Sequence, residues 1–295
     1  MKIIWNSGVA LLLVTGALLG LTLPFGKLAV EGGIPPLLWS FVISFGAGSV
    51  LLITLVASGR CMKLDRQNLR YFFIAAAISY AIPNLLMFTA LPHLGAGYTG
   101  LMFTLSPVVT LVMSLVLRVS RPSRLGVAGI AIGFVGALLV ASTRGQADRP
   151  AELLWIGVGL LIPVFLAAGN IYRTFDWPRT SGPIELAIGS HLAAALILTM
   201  LSAASGQTAS AGLLADMPLL VVAQVAASSA MFAFFFRLQA VGGPVYLSQI
   251  GYVAAAVGLI SGTLFLSESY GPLTWVGGLI ILAGVTLTTR AQRGS

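Results

Sequence analysis

Ten apolar runs leave this chain almost no way to fold in water. They fall at about 8–29, 36–57, 70–91, 95–117, 125–143, 153–173, 184–202, 217–239, 244–266 and 271–289. Each is close to the roughly 20 residues that carry a helix across a bilayer core. The gaps between them are too short to fold into a domain outside the membrane. Of the 295 residues, 58% are hydrophobic and 8% charged, where a soluble domain has about 25% charged residues. The pattern predicts an all-α polytopic membrane protein with ten transmembrane helices. The first run extends from Gly8 to Ala29 with no A-x-A site after it, so it reads as a membrane helix and not as a signal peptide.

The net charge of +8 comes from residues in the short gaps, not from a solvated basic stripe, which argues against nucleic-acid binding. With both termini in the cytoplasm, every Lys and Arg except Lys27, Arg144 and Arg149 falls on the cytoplasmic side. That bias is the one membrane insertion produces, and it predicts a multi-pass protein of the inner (plasma) membrane in this orientation. The single cysteine, Cys61, excludes an internal disulfide. Trp5, Trp39, Trp155, Trp177 and Trp275 all lie near predicted helix ends, as an interfacial aromatic belt requires.

The sequence also repeats itself. Gly129 and Gly136 match Gly277 and Gly284 at a shift of 148, and Leu94-Gly95 matches Val241-Gly242 at a shift of 147. Residues 1–146 and 147–295 are therefore expected to form two five-helix repeats. Five is odd, so the second repeat must be inverted in the membrane relative to the first. Lys27 then ends helix one on the outer side, and Arg173 ends helix six on the inner side. Inverted repeats of this kind characterise alternating-access transporters, with the site between the repeats near the midplane.

These features resemble the drug/metabolite transporter superfamily in its ten-helix EamA-type branch. The resemblance rests on GLTLPFGK (Gly20 to Lys27), AAGNIYR (Ala167 to Arg173), Leu105-Ser106-Pro107-Val108, and Leu266-Ser267-Glu268 before the glycine-rich last helix. It implies export of amino acids or related metabolites, without enzymatic activity. Trp39-Ser40-Phe41 stands where the family often has an arginine, Tyr252-Val253-Ala254 lacks the proline that helix four carries, and Glu268 has no acidic counterpart in the first half.

Polar or kinking residues at mid-depth are the candidate substrate contacts: Thr22, Tyr80, Asn84, Phe103, Pro163, Ser228, Phe232, Gln249 and Tyr252. Asn84 and Gln249 are costly against lipid and should face protein or water. Pro24, Pro83, Pro107 and Pro163 each free a backbone carbonyl, marking a kink or a cavity wall. Ser228 and Ser229 can also bond the preceding turn. Asn170 and Gln224, nearer helix ends, are expected to close gates at most. This set predicts a largely uncharged cavity for a small, partly apolar substrate. The motifs Gly16-x3-Gly20, Gly129-x3-Gly133 and Gly258-x3-Gly262 allow close helix approach; internal packing is the expected use, and hence a monomer in the bilayer. No cofactor or metal is expected, since His93 and His191 lie on different helices.

An intramembrane enzyme would need paired acids, a Ser–His pair or metal ligands within helices, and His191 has no such partner in sequence. A channel or scaffold is the other alternative to a carrier. Neither of the acids at helix edges, Glu185 and Glu268, reaches the midplane, so a facilitator or exchanger is expected and not a proton-driven pump.

Overall fold

Prolines and short polar side chains set where the helices begin. In the computed structural model, which describes residues 5–119, 123–143, 152–205 and 212–293, α1 (Gly8–Glu31) follows Ser7, whose hydroxyl accepts the Ala10 N–H at 3.3 Å. Asp65 caps α3 (Arg66–Leu94) by accepting the Asn68 N–H at 2.8 Å, and Ser123 caps α5 (Arg124–Ala141) by accepting the Gly126 N–H at 3.2 Å. These bonds satisfy donors that a first helical turn leaves open. Proline stands first in α2 (Pro36–Ala57), α7 (Pro183–Ala204), α8 (Pro218–Ser248) and α10 (Pro272–Arg293), where its missing N–H costs nothing. The remaining rods are α4 (Ala96–Val116), α6 (Leu153–Phe175) and α9 (Ile250–Phe265). A single turn, Gly212–Ala215, precedes α8.

Among the described residues every regular element is helical. Seven helices are long and apolar enough to cross a bilayer, and α5, α9 and α10 contribute shorter apolar stretches. Large side chains such as Ile53, Leu138, Leu264 and Leu279 are exposed on the outside of the bundle, which only lipid would cover favourably. This is an integral, polytopic, all-α membrane protein. The expected boundary at 146–147 and the charges Lys2, Arg121, Arg144 and Arg149 lie outside the described residues.

Two glycines make the sharpest turns. Gly95 separates α3 from α4 at φ 78°, ψ 160°, and Gly243 breaks α8 at φ 70°, ψ −178°. Both lie in a backbone region open essentially to glycine alone. They are 148 positions apart, so the structural equivalent of Gly95 is Gly243, one residue beyond the sequence match, and the shift agrees with that of the paired glycines in α5 and α10.

Those paired glycines form a seam. A Cβ on Gly129 would stand 2.8 Å from the Gly284 carbonyl, and one on Gly284 would stand 2.6 Å from the Gly129 carbonyl. Gly136 and Gly277 face each other in the same reciprocal way, at 2.7 and 2.8 Å. Backbone therefore packs on backbone between α5 and α10. Gly16 and Gly20 of α1 lie against α9 at Ile250, Val253, Ala254 and Val257, so these glycine faces are occupied within the chain.

Two helices depart from α geometry just before a proline. Residues 77–81 of α3 form a π-turn ahead of Pro83, and residues 103–105 of α4 form a 3-10 turn ahead of Pro107. Proline cannot donate to the carbonyl four residues back; the Phe103 carbonyl accepts the Ser106 N–H instead, and the Ala77 carbonyl accepts the Ile82 N–H. The aromatic belt needs one correction: Trp39 is fully buried. It packs in the protein core and not at the membrane surface.

Candidate functional site

Residues from α1, α2, α3, α4, α6, α8 and α9 surround a cavity of about 70 Å3. α3 supplies a polar strip, Ser79, Tyr80 and Asn84, beside the π-turn and Pro83. α8 supplies an apolar strip, Met231, Phe232 and Phe235. Phe103 and Ser106 enter from the irregular part of α4, and Leu19 and Thr22 from α1. Asn170 and Arg173 of α6 complete the wall. Several polar atoms here have no protein partner, among them the Ser79 and Tyr80 hydroxyls and the Asn84 amide nitrogen. Behind the wall, His191 packs between Tyr80 and Phe232, with ring centroids 4.2 and 3.8 Å away, and neither ring nitrogen is bonded.

Two buried polar clusters lie along α4, the second of them in the cavity wall. At the first, the Lys27 ammonium meets Glu268 Oε1 at 2.6 Å. The α4 N-terminus donates to the same carboxylate, Ala96 N–H at 2.8 Å and Gly97 N–H at 3.2 Å, and the Tyr270 hydroxyl donates to its other oxygen. Positive helix-end amides add to the attraction. Burial on its own would push the Glu268 carboxyl up, but the bonds from Lys27, Tyr270 and the Ala96 N–H outweigh it and hold it below its ordinary range. Burial and the neighbouring carboxylate push the Tyr270 phenol up.

At the second, Arg173 Nε donates to Gln239 Oε1 at 2.8 Å and its Nη2 to Asn170 Oδ1 at 2.6 Å. Gln239 donates in turn to the Asn170 carbonyl, and Asn170 lies 3.5 Å from the Thr110 hydroxyl. The guanidinium carbon sits 4.8 Å from the Phe235 ring centroid and 5.8 Å from that of Tyr80. Gly97 and Thr110 mark the two clusters along α4, about 20 Å apart at 1.5 Å per residue. Phe103 and Ser106 fall between them.

A model of the EamA-like transporter family matches residues 6–142, the first half of the chain. Protein PecM from Dickeya dadantii (strain 3937) is 23% identical over 269 residues, covering 88% of this chain and 86% of PecM. Over residues 6–142 the chain resembles EamA-like transporters. That likeness is to a family of membrane transporters. A solved protein crystal structure shares the fold at a TM-score of 0.67, covering 96% of this chain and 97% of that one at 19% identity.

Of the sequence candidates, Thr22, Tyr80, Asn84, Phe103 and Phe232 line this cavity. The other four do not. Pro163 is buried within α6, where it removes one helical hydrogen bond. Ser228 returns its hydroxyl to the Gln224 carbonyl at 2.6 Å, and Ser229 does the same to Val225. Gln249 is tied to Thr288 of α10 at 2.5 Å. Tyr252 is fully buried against Gly133 of α5. Their depth is suitable, but their helices turn them toward neighbouring helices. Sequence reasoning missed Asn170 and Arg173, which it assigned to a helix end. The expectation of an uncharged cavity is corrected at one residue, Arg173. The visible signal was the correspondence of Lys27 and Arg173 in the two halves, with an acid provided for only one of them.

Proposed function

We propose that this chain is an alternating-access carrier for small, partly apolar metabolites, amino acids first among them. Residues 1–146 and 147–295 act as two inverted five-helix repeats of a monomer. Both termini face the cytoplasm, and the carrier works in the inner membrane in the export direction. Taking the five residues after Gly243 together with α9 gives a rod of roughly 21 residues, about 32 Å, which supports ten spans. The reciprocal glycine seam between α5 and α10 and the matching turns at Gly95 and Gly243 support the internal dyad.

The observation that carries this reading is a cavity walled by both halves and lying along α4, with the second of two buried polar clusters in its wall. A channel would need a continuous path past both, whereas the Lys27–Glu268 pair closes helix against helix at one end. Thr22, Tyr80, Asn84, Phe103 and Phe232 are its substrate contacts in this reading, while Pro163, Ser228, Gln249 and Tyr252 hold the scaffold.

The test is counterflow in liposomes reconstituted with the full chain. Preloaded unlabelled leucine or phenylalanine should transiently drive labelled substrate above its equilibrium level, with saturable initial rates. Non-saturable flux without counterflow would identify a channel instead.

A further inference from the structure

Arg173 is 1% exposed, lines the cavity, and pairs with no carboxylate among the described residues. Its bonds run to two neutral amides, Gln239 and Asn170. A guanidinium removed from water without a counter-charge is expensive, and within a membrane protein such a group marks a ligand path by default. The buried cluster near the start of α4 supplies the comparison. There Lys27 occupies the corresponding position in the first half, and Glu268 neutralises it at 2.6 Å. One cation has its acid built in, and the other faces the cavity without one.

The surroundings of Arg173 are suited to an anion with an apolar body. The unpartnered Tyr80 hydroxyl, on a side chain 2% exposed, and the Asn84 amide N–H2 line the same cavity. Both can donate to an anionic oxygen. No Asp or Glu lines the cavity, so nothing there competes for the guanidinium. Met231, Phe232 and Phe235 give the adjoining wall an apolar surface, with the Phe235 ring 4.8 Å from the guanidinium carbon. A phosphate dianion would call for a second cation, and Arg173 is the only charged residue among those lining the cavity. A planar carboxylate suits the guanidinium fork.

We propose that Arg173 is the substrate-carboxylate site of the carrier, with the apolar part of the substrate lying along α8. This rests on the carrier reading above and adds the group that is recognised. An amino acid and its deaminated acid share that group.

The experiment measures thermal shift and calorimetric affinity on the purified full-length chain in detergent with four probes of one skeleton: 3-phenylpropionate, phenylalanine, 3-phenylpropanol and 2-phenylethylamine. One or both carboxylates should bind, with the alcohol and the amine at least about tenfold weaker. Which carboxylate binds tells whether the group arrives on an amino acid or on a deaminated acid. Arg173→Gln should weaken the carboxylates about tenfold to a hundredfold, as loss of a charged hydrogen bond does, and leave the alcohol unchanged. Should that variant misfold, Tyr80→Phe removes only one unpaired hydroxyl and should cost roughly two- to tenfold on the carboxylates alone. Equal binding of alcohol or amine, undiminished carboxylate affinity in Arg173→Gln, or no binding by any probe overturns the proposal. Counterflow of phenylpropanol or phenylethylamine without the carboxylates would overturn it while leaving the carrier intact.

Discussion

Lys27 and Glu268, 241 positions apart in the chain, meet at 2.6 Å with both side chains closed off from solvent. The pair joins the end of α1 to the loop after α9, and the Ala96 and Gly97 amides bring the start of α4 into the same bond set. Removing one partner of such a pair leaves a buried charge uncompensated, which costs about 3–5 kcal/mol. Glu268→Gln should therefore lower the melting temperature sharply, and Lys27→Met on that background should recover part of the loss. The pH dependence follows from the depressed Glu268 carboxyl. Such a group contributes stability above its unfolded pKa and loses it as pH falls through the folded one. Stability should thus be flat from about pH 8 to about pH 5 through this group and fall only in acid. A wild-type melting curve that declines steadily across that window, and is flattened by Glu268→Gln, would contradict this assignment.

Asn84 and Tyr252 should separate transport from stability. The Asn84 amide nitrogen lies unpaired in the cavity wall, and Tyr252 is locked behind Gly133. Asn84→Leu should raise KM roughly two- to tenfold with the melting temperature little changed. Tyr252→Ala should cost about 3–5 kcal/mol of stability, as truncation of a buried ring does, with KM preserved in whatever protein folds. An unaltered KM in Asn84→Leu would place substrate recognition elsewhere.

The glycine seam predicts a position-specific alanine scan. Gly136→Ala would drive a Cβ to 2.7 Å from the Gly277 carbonyl, whereas Gly157→Ala meets nothing within 4 Å. The first should destabilise by about 1–3 kcal/mol. The second should be neutral or favourable, since alanine exceeds glycine in helix propensity by up to about 1 kcal/mol. Equal melting temperatures for the two variants would mean that α5 and α10 do not approach so closely.

Cys61 reports the topology without any mutation. It is the sole cysteine and is exposed between α2 and α3. A membrane-impermeant maleimide should label it in inside-out vesicles and not in intact spheroplasts. The opposite result would reverse the orientation read from Lys and Arg.

Energy coupling is the fifth expectation. No acid lines the cavity, and Glu268 is held ionised by Lys27, while Glu185 is bonded to Arg60 at 2.5 Å. Uptake into liposomes should proceed down a substrate gradient alone. Accumulation that requires an imposed proton gradient and collapses with a protonophore would refute this.

Sequence length and apolar content fixed where the helices lie, because each run had to match the thickness of a bilayer. Rotation of each helix about its axis was not legible. Tyr252 and Gln249 have suitable depth but face α5 and α10; in a helix apolar nearly all round, periodicity barely distinguishes its faces. Arg173 posed the reverse difficulty. It ends α6, and its long side chain reaches the cavity from there, as snorkelling side chains do. The pairing of Lys27 with Glu268 needed the third dimension, although each residue could be placed at a helix end.

The unequal chemistry of the two buried clusters has a kinetic consequence. In a carrier that cycles between two faces, opening at the Lys27 end breaks a buried ion pair in every turnover, with or without cargo. Opening at the Arg173 end separates a cation from neutral amides. The empty form of such a carrier should rest facing the Arg173 side, with half-saturation constants that differ between the two faces. Detailed balance forbids such an asymmetry from moving the final equilibrium. What it would set is which limb limits turnover: for an exporter of this kind, release past Lys27 should be slower than the return of the unloaded protein.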